Sequence, residues 1–284
     1  MIDSSLINIL LPGQEPLVSH EYKFIYQPLT KVGCKSIKSW MLLLREVEEQ
    51  DFDPSNTLHL EEITKMYTSF TYRHYDKEDS FHIHNLANKF FGAYTNGYIK
   101  HPFWELDSKL ESYKKIVFVR NPWNRIASCY VDKVTAKNQY YRIKQMQEWF
   151  REQNYKEEFF DKDDRFTFEG FLEAVGYVID NKVQAFYDPH WLPQKTAMKA
   201  FIDEYDYIGR IESLDNDIKE VQSLFNIPAV HVGNVDKTID KEGNYTEQKS
   251  SAGKYDKYFL NFNNIDKVAE IYNQDIELLN YTYE

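Results

Sequence analysis

The chain alternates between short runs of β-forming residues and stretches in which apolar residues recur at helical spacing. This pattern predicts strands that alternate with helices. Short runs of β-forming residues over 22–26, 114–119 and 205–208 predict buried strands. Apolar residues recur at helical spacing over 36–48, 122–134, 168–178, 214–225 and 265–279. This alternation indicates an α/β fold with a central parallel sheet and helices on both of its faces.

Weaker patterns complete the prediction. Helices are predicted over residues 58–75 and 104–113, and a short strand over residues 81–84. Residues 140–164 are predicted to form a helix followed by a solvated loop, and residues 1–20 an irregular N-terminal arm. Residues 235–251 are polar and glycine-containing, which favours a mobile loop. No internal repeat or linker interrupts the pattern, so a single domain over residues 1–284 is predicted.

Composition narrows the functional classes. The chain has 284 residues, of which 42% are hydrophobic and 16% aromatic, so it can bury a substantial core and is not disordered. Its net charge of -11 argues against non-specific binding to nucleic acid or to anionic membranes. An anionic ligand must therefore be bound by a local basic patch. The composition indicates no particular oligomeric state.

Cysteine usage and the N-terminus bear on the compartment. The two cysteines, Cys34 and Cys129, cannot form a disulfide framework, and their spacing from the histidines suggests no zinc site. Residues 1–20 lack a basic region followed by a long apolar run, and no stretch of about 20 apolar residues occurs. These features predict a cytoplasmic protein without a transmembrane segment.

A first basic cluster lies where a strand gives way to a helix. It consists of Lys31, Val32, Gly33, Cys34, Lys35, Ser36, Ile37 and Lys38. The glycine lets the backbone approach a phosphate, the serine caps the helix or binds the ligand, and the lysines supply charge. A solvated turn is the alternative. The cluster is not a Walker loop, because Gly33 has no second glycine five residues away.

A second cluster follows the strongest predicted strand and runs from Val117 to Tyr130. Arg120 comes directly after that strand, and open α/β sheets bind ligands at the carboxyl ends of their strands. Ser128 lies about two helical turns further on, so both side chains can face one anion. The alternative is a structural arginine that pairs with an acid, together with an ordinary helical serine.

Together, the two clusters resemble the two nucleotide-binding segments of the carbohydrate sulfotransferases, in the branch of the HNK-1, chondroitin and dermatan sulfotransferases and their bacterial relatives. Residues 188–194 (DPHWLPQ), 205–212 (YDYIGRIE), 231–238 and 255–259 resemble further elements of that family in the same order. The likeness covers residues 22–281. Thr30 replaces the proline that usually precedes the first lysine, and the extra cysteines of the luminal members are absent.

The resemblance implies a P-loop-like, three-layer fold and a defined donor. The donor is 3′-phosphoadenosine 5′-phosphosulfate (PAPS), and the acceptor is a hydroxyl, expected on a carbohydrate. Lys31 is aimed at the leaving oxygen, and Val32, Gly33, Cys34, Lys35 and Ser36 hold the 5′ end without a metal. Arg120 and Ser128 grip the 3′-phosphate. Lys237 belongs to a loop that closes over the nucleotide, for which a solvated surface loop is the alternative.

Two histidines are candidates for the general base that takes the acceptor's proton. Histidine suits this role because its ordinary pKa lies near neutral pH. His84 is the first choice, since it resembles a histidine position of heparan-type relatives. His190 is the second, with a hydrogen-bonded structural role as its alternative. A P-loop-type phosphotransferase and a catalytically inactive nucleotide- or glycan-binding relative remain competing hypotheses, and a glycolipid, a small metabolite or a tyrosine remains an alternative acceptor.

Overall fold

The computed structural model of the chain describes residues 15–49, 87, 91–92, 99–100, 105–106, 108–136, 139–198, 205–229, 238–239, 245–246 and 255–283. Internal packing divides the chain into two compact units. The sheet unit contains the described residues from 15 to 119 and from 205 to 246, and the helical unit contains those from 120 to 198 and from 255 to 283. The single domain predicted for residues 1–284 stays a prediction.

The elements are numbered in chain order. They are β1 Leu17–Ser19, β2 Phe24–Gln27, α1 Cys34–Glu49, β3 Ile99–Lys100, β4 Glu105–Leu106, β5 Lys114–Val119, α2 Pro122–Lys133, α3 Tyr141–Glu152, α4 Phe168–Asp180, α5 Gln194–Met198, β6 Tyr207–Arg210, α6 Leu214–Leu224, β7 Thr238–Ile239, β8 Tyr245–Thr246, α7 Phe262–Ile271 and α8 Asn273–Leu279.

The sheet unit is built on a four-stranded sheet in the order β1-β2-β5-β6. The strands β2, β5 and β6 run parallel, as predicted, whereas β1 pairs antiparallel with β2. The prediction of a wholly parallel sheet is therefore wrong at this edge, as is that of an irregular arm over Leu17–Ser19. Lys23 adopts a φ of 51°, which helps the chain to reverse between the two strands.

One face of this sheet packs against two helices. Phe24 and Phe118 belong to the set of alternate strand residues on this face, and they join one core with residues of α1 and α6. The rings of Phe24 and Trp40 stack with their centroids 5.6 Å apart. Ile25 and Val117, on the opposite face, are also buried. The α/β class is confirmed, while a P-loop-like layout with helices on both faces stays a prediction.

The helical unit packs α4 against α7, and α2 contacts both helices. The apolar period over 265–279 predicts one closing helix, but the structure has two, α7 and α8, with the break at Tyr272. The Tyr272 side chain is buried, and its hydroxyl donates to the Trp191 carbonyl at 2.6 Å. This contact between distant segments holds the residue at which the helix is interrupted.

Other local predictions have mixed outcomes. The helices predicted at 36–48, 122–134, 168–178 and 214–225 correspond to α1, α2, α4 and α6. The strand predicted at 205–208 lies at Tyr207–Arg210 instead, and the helix predicted at 104–113 is replaced by β4 and a 3-10 turn at Ser108–Leu110. Within the loop predicted at 235–251, the described residues form the antiparallel pair β7 and β8. The elements predicted at 58–75 and 81–84 lie outside the described residues.

Candidate functional site

The first basic cluster forms a tight turn between β2 and α1 in the sheet unit. Lys31 has a φ of 63° and Gly33 a φ of 70°, so two residues of three adopt left-handed backbone. Left-handed backbone is unfavourable for lysine, and such strain is typical of functional turns. The helix α1 begins at Cys34, directly after the turn, and its first turn contains no acidic residue. The N-terminus of α1, with its first N–H groups and the positive end of the helix dipole, therefore lies directly after this turn and suits an anion.

The turn is supported by the segment that follows β6. A Cβ added to Gly33 would lie 2.3 Å from Cδ1 of Ile211, so a larger residue would have to displace the Ile211 side chain and also adopt the unfavourable φ. Gly209 is similarly confined, because a Cβ there would lie 2.5 Å from Cε1 of Phe118. Ser213 donates to Oδ2 of Asp217 at 3.1 Å, and the Arg210 N–H donates to the same carboxylate oxygen. Ile211, which directly follows β6, thus packs against the turn at Gly33.

The predicted ligand-binding residues of the turn differ in exposure. Lys31, Cys34 and Lys35 are half-buried, whereas the side chain of Val32 is fully buried and only its backbone can reach a ligand. Ser36 is buried inside the first turn of α1, and it is not the residue that precedes the helix. The structure therefore favours a role for Ser36 other than that of the helix cap.

Lys38 on α1 is buried, which the sequence did not predict. Its side chain has no exposed surface. Burial lowers the pKa of Lys38 to about 8, although the charges of Cys34 and Glu15 oppose this fall. Because this pKa remains above neutral pH, Lys38 keeps most of its positive charge there.

Arg120, the first residue of the helical unit after β5, is held through its backbone. Its N–H donates to Oε1 of Gln194 at 2.9 Å, and its carbonyl accepts from Nε2 of the same side chain at 2.8 Å. The guanidinium lies over the ring of Tyr255, 5.6 Å from its centroid. The half-buried Arg120 side chain thus starts from a fixed backbone.

Helix α2 follows with a well-formed N-terminus. The Asn121 side chain accepts from the N–H groups of Trp123 and Asn124, and Pro122 occupies the first helical position. Ser128 is half-buried on this helix. Arg125 is buried and structural, because its guanidinium donates to the carbonyls of Leu192 and Pro189 at 2.9 and 2.7 Å. It thereby fixes the segment that contains His190.

His190 belongs to a buried polar network. Its Nδ1 lies 2.6 Å from Oδ1 of Asp188, and its backbone N–H donates to the same oxygen at 2.9 Å. The other oxygen of Asp188 accepts from the Tyr140 hydroxyl at 2.9 Å and lies 3.6 Å from Nε of Arg142. Asp188 is fully buried, whereas the His190 side chain is 15% exposed. A carboxylate at Nδ1 holds the ring in one orientation and makes Nε2 the basic nitrogen.

The contacts within this network shift the pKa values of Asp188 and Tyr140. Burial alone would raise the pKa of Asp188, but the hydrogen bonds and charge of His190, with the Tyr140 hydroxyl, hold that pKa below its ordinary value. Burial and the nearby Asp188 carboxylate raise the pKa of Tyr140 well above its ordinary value. Tyr140 is therefore a hydrogen-bond donor throughout the physiological range.

Acid stability should depend on this carboxylate. Because the pKa of Asp188 is lower in the folded than in the unfolded protein, its ionised carboxylate stabilises the fold above about pH 4, the ordinary aspartate range. This stabilisation is lost as pH falls through the folded-state pKa. Asp188→Asn should therefore lower the free energy of unfolding by roughly 1–3 kcal/mol at neutral pH, and the difference should shrink as pH falls. Urea unfolding over a pH series measures this. Asp164→Asn is the control, because that carboxylate is exposed and pairs with Arg151 on the surface. A wild-type advantage that grows toward acid pH would contradict the account.

The sequence predicted some of the residues described here and missed others. The predicted site residues Lys31 to Ser36, Arg120, Ser128 and His190 are described by the structure and stay a prediction, whereas His84 and Lys237 lie outside the described residues. The sequence missed Asp188, Gln194 and Asp275 as partners. The first two were signalled by their positions in the DPHWLPQ string. Asp275 gave no signal, because its partners at 194 and 195 lie about 80 residues earlier in the chain.

Comparison with known proteins places the chain in a family. The profile described as the sulfotransferase family matches residues 14–282. The chain therefore belongs to the sulfotransferase family, which confirms the resemblance drawn from its motifs. No solved structure matches.

The curated relatives are distant. Human carbohydrate sulfotransferase 9 is 24% identical over 215 residues, covering 74% of this chain and 41% of its own length. Mouse carbohydrate sulfotransferase 8 is 22% identical over 273 residues, covering 93% and 56%. Mouse carbohydrate sulfotransferase 11 is 31% identical over 128 residues, covering 43% and 36%. The chain thus spans about half the length of the first two relatives.

The relatives overturn one prediction. The cytoplasmic location is wrong, because the matching carbohydrate sulfotransferases are Golgi membrane-anchored enzymes and are not cytoplasmic. The prediction used a low cysteine count and the lack of an apolar run, and neither feature identifies a compartment. None of the helices in the described part of the chain has the length and apolar character needed to cross a membrane.

Proposed function

We propose that the protein is a PAPS-dependent sulfotransferase that transfers a sulfuryl group to a hydroxyl of a carbohydrate. The observation that carries this proposal is the left-handed turn of Lys31 and Gly33 at the N-terminus of α1, in a chain of the sulfotransferase family. The turn supplies a local anion site to a protein whose net charge is -11. The names of the relatives, all carbohydrate sulfotransferases, support a carbohydrate acceptor.

The residues of the turn fit the 5′ end of such a donor. When bound, PAPS would supply the sulfuryl group: the acceptor oxygen would form a bond to its sulfur while the bond from sulfur to the 5′-phosphate oxygen breaks, and 3′-phosphoadenosine 5′-phosphate would leave. The N–H groups from Gly33 to Ser36 bind anionic oxygens, and Lys35 adds charge beside them. Lys31 stabilises the negative charge that grows on the departing oxygen. Lysine charge and oriented N–H groups can provide this stabilisation, so a metal-independent reaction remains part of the prediction.

Arg120 and Ser128 are assigned to the 3′-phosphate. Arginine suits a phosphate because its guanidinium donates two parallel hydrogen bonds. Gln194 fixes the backbone of Arg120, which supports a role in which the direction of the side chain matters. A hydroxyl on α2 can donate a further hydrogen bond to the same group. The closing role predicted for Lys237 is kept as part of the proposal on the family resemblance alone.

We assign the general base to His190. The carboxylate of Asp188 lies at Nδ1, so the proton taken from the acceptor hydroxyl goes to Nε2, and Asp188 stabilises the imidazolium that forms. Tyr140 fixes the second oxygen of that carboxylate. His84, the first choice from sequence, is the competing base, and the two assignments make opposite predictions for single variants.

His190→Ala should lower the turnover rate by about 100-fold or more while leaving nucleotide affinity within a few-fold. The rate of the wild-type enzyme should rise with pH through the histidine pKa, and this dependence should disappear in the variant. His20→Ala is the control, since His20 is exposed and its Nδ1 also has a hydrogen-bond partner, the Tyr113 hydroxyl at 3.0 Å. If His84→Ala abolishes the pH dependence and His190→Ala preserves it, the assignment to His190 is wrong.

Direct transfer tests the proposed function. The purified protein is incubated with ³⁵S-labelled PAPS and a panel of neutral and acidic oligosaccharides, a glycolipid, a small phenol and a tyrosine peptide. Label on an oligosaccharide, formed at least about 100-fold more slowly with His190→Ala, supports the proposal. Label only on the phenol or the peptide contradicts the carbohydrate acceptor. Nucleotide binding without any transfer favours the inactive relative.

A further inference from the structure

The Arg120 backbone is bound by a side chain distant in sequence. Gln194 is 1% exposed, and its amide supplies both an acceptor for the Arg120 N–H and a donor to the Arg120 carbonyl. Within a sheet, a neighbouring strand makes the same pair of contacts. The strand β5 ends at Val119, so the backbone of Arg120, one residue further on, is held by a side chain in place of a neighbouring strand.

A buried carboxylate fixes Gln194 in turn. Asp275 on α8 is fully buried, and its Oδ2 accepts from the Gln194 N–H at 2.7 Å. Its Oδ1 accepts from the Lys195 N–H at 2.8 Å, so Asp275 binds the first two N–H groups of α5. The backbone of Gln194 is therefore held by Asp275, and its side chain holds Arg120.

We propose that Gln194, braced by Asp275, is a positioning residue that gives the enzyme its selectivity for a 3′-phosphorylated nucleotide. This inference rests on the proposed function, because it assumes that Arg120 binds the 3′-phosphate. Gln194 acts through Arg120: it fixes the point and direction from which the guanidinium leaves the backbone. A bidentate contact tolerates little displacement, so losing that anchor weakens the phosphate contact although the guanidinium remains.

A contact with the Tyr255 ring restricts the direction of the Arg120 side chain. The guanidinium lies 5.6 Å from the centroid of the buried Tyr255 ring, on the closing segment of the chain. An arginine fixed at its backbone and steadied over an aromatic face has few rotamers left to lose on binding. Both contacts therefore lower the entropy cost of binding a phosphate through Arg120.

The test measures selectivity and binding. Isothermal titration gives Kd for 3′-phosphoadenosine 5′-phosphate (PAP) and for adenosine 5′-monophosphate, which differ only in the 3′-phosphate. The selectivity ratio, which is Kd for the monophosphate divided by Kd for PAP, should fall about tenfold in Gln194→Ala, the value expected for weakening a hydrogen bond to a charged group. Affinity for the monophosphate should stay within a few-fold. Asp275→Asn should reduce the ratio to a smaller extent.

Gln147→Ala is the matched control. Gln147 is another buried glutamine of the helical unit, and its Nε2 has no hydrogen-bond partner among the described residues. That variant should keep the wild-type ratio. Gln194→Glu covers the case in which Gln194→Ala does not fold: it keeps the size and the acceptor but sets a carboxylate oxygen against the Arg120 carbonyl, so the ratio should still fall.

A double variant distinguishes an effect of Gln194 through Arg120 from a general disturbance of the fold. In an Arg120→Ala background, Gln194→Ala should change the ratio no further, because Gln194 acts only through Arg120. An additional loss of the same size would overturn the inference, as would Gln194 variants with the wild-type ratio. If the wild-type protein itself does not distinguish the two nucleotides, the proposed function fails. If it does and only the variants behave otherwise, the inference alone fails.

Discussion

Lys31→Ala is expected to lower the rate of sulfuryl transfer by about 100-fold or more, or roughly 3 kcal/mol of transition-state stabilisation. The ammonium group acts on charge that appears only as the donor bond breaks. It therefore contributes more to turnover than to ground-state binding. Single-turnover kinetics with saturating donor measures the rate, and a parallel titration with PAP should show affinity within about tenfold of wild type.

Lys23→Ala is the matched control for this variant. Lys23 belongs to the same unit and also adopts left-handed backbone, with a φ of 51° against 63° for Lys31, but it is exposed and precedes β2. Alanine carries the same backbone penalty at both positions, so the difference between the two variants isolates the ammonium group. A Lys31→Ala enzyme that turns over like Lys23→Ala would contradict the assignment of Lys31 to the leaving oxygen.

Arg120→Ala is expected to reduce PAP affinity by about 30-fold, or roughly 2 kcal/mol, through loss of a charge-assisted contact with the 3′-phosphate. Affinity for adenosine 5′-monophosphate should change much less, since that nucleotide lacks the group. The contact is partly ionic, so the difference between the wild-type and variant proteins should narrow at high salt. Calorimetric titrations with both nucleotides at two ionic strengths measure each effect.

Arg151→Ala serves as the control for Arg120→Ala. Arg151 lies in the same unit, and its guanidinium also packs over an aromatic ring, 4.3 Å from the centroid of Phe160, while it pairs with Asp164 on the surface. Removing it deletes an arginine and its ring contact without touching the proposed phosphate site. Equal losses in the two variants, or equal losses for the two nucleotides, would exclude Arg120 from the 3′-phosphate site.

Elements that local sequence determines were predicted well. The strand β5 and the helices α2 and α4 carry their own apolar period, and α2 also carries an asparagine cap followed by proline. The edge strand β1 was missed because three residues give too little period. Its formation depends on pairing with β2 after a left-handed turn. The break lies at Tyr272, whose hydroxyl donates to the Trp191 carbonyl, and this contact between distant segments has no local signal.

The candidate site divides in the same way. The Lys31 to Ser36 turn is local, so its glycine and lysines could be found from their order along the chain. The supports of the site join distant positions: Gln194 contacts Arg120 across 74 residues, and Asp275 contacts Gln194 across 81. The buried state of Lys38 was equally hidden, because lysine usually faces solvent. These features depend on tertiary packing, which a single sequence does not encode as a pattern.

The most direct test of the central claim is a calorimetric titration of the wild-type protein with PAP, ADP and ATP, without added magnesium. The account predicts binding of PAP in the micromolar range, with far weaker binding of ADP and ATP, since only PAP carries the 3′-phosphate. Tight binding of ATP, or no binding of PAP, would contradict a PAPS-dependent sulfotransferase and would favour a phosphotransferase or an inactive relative.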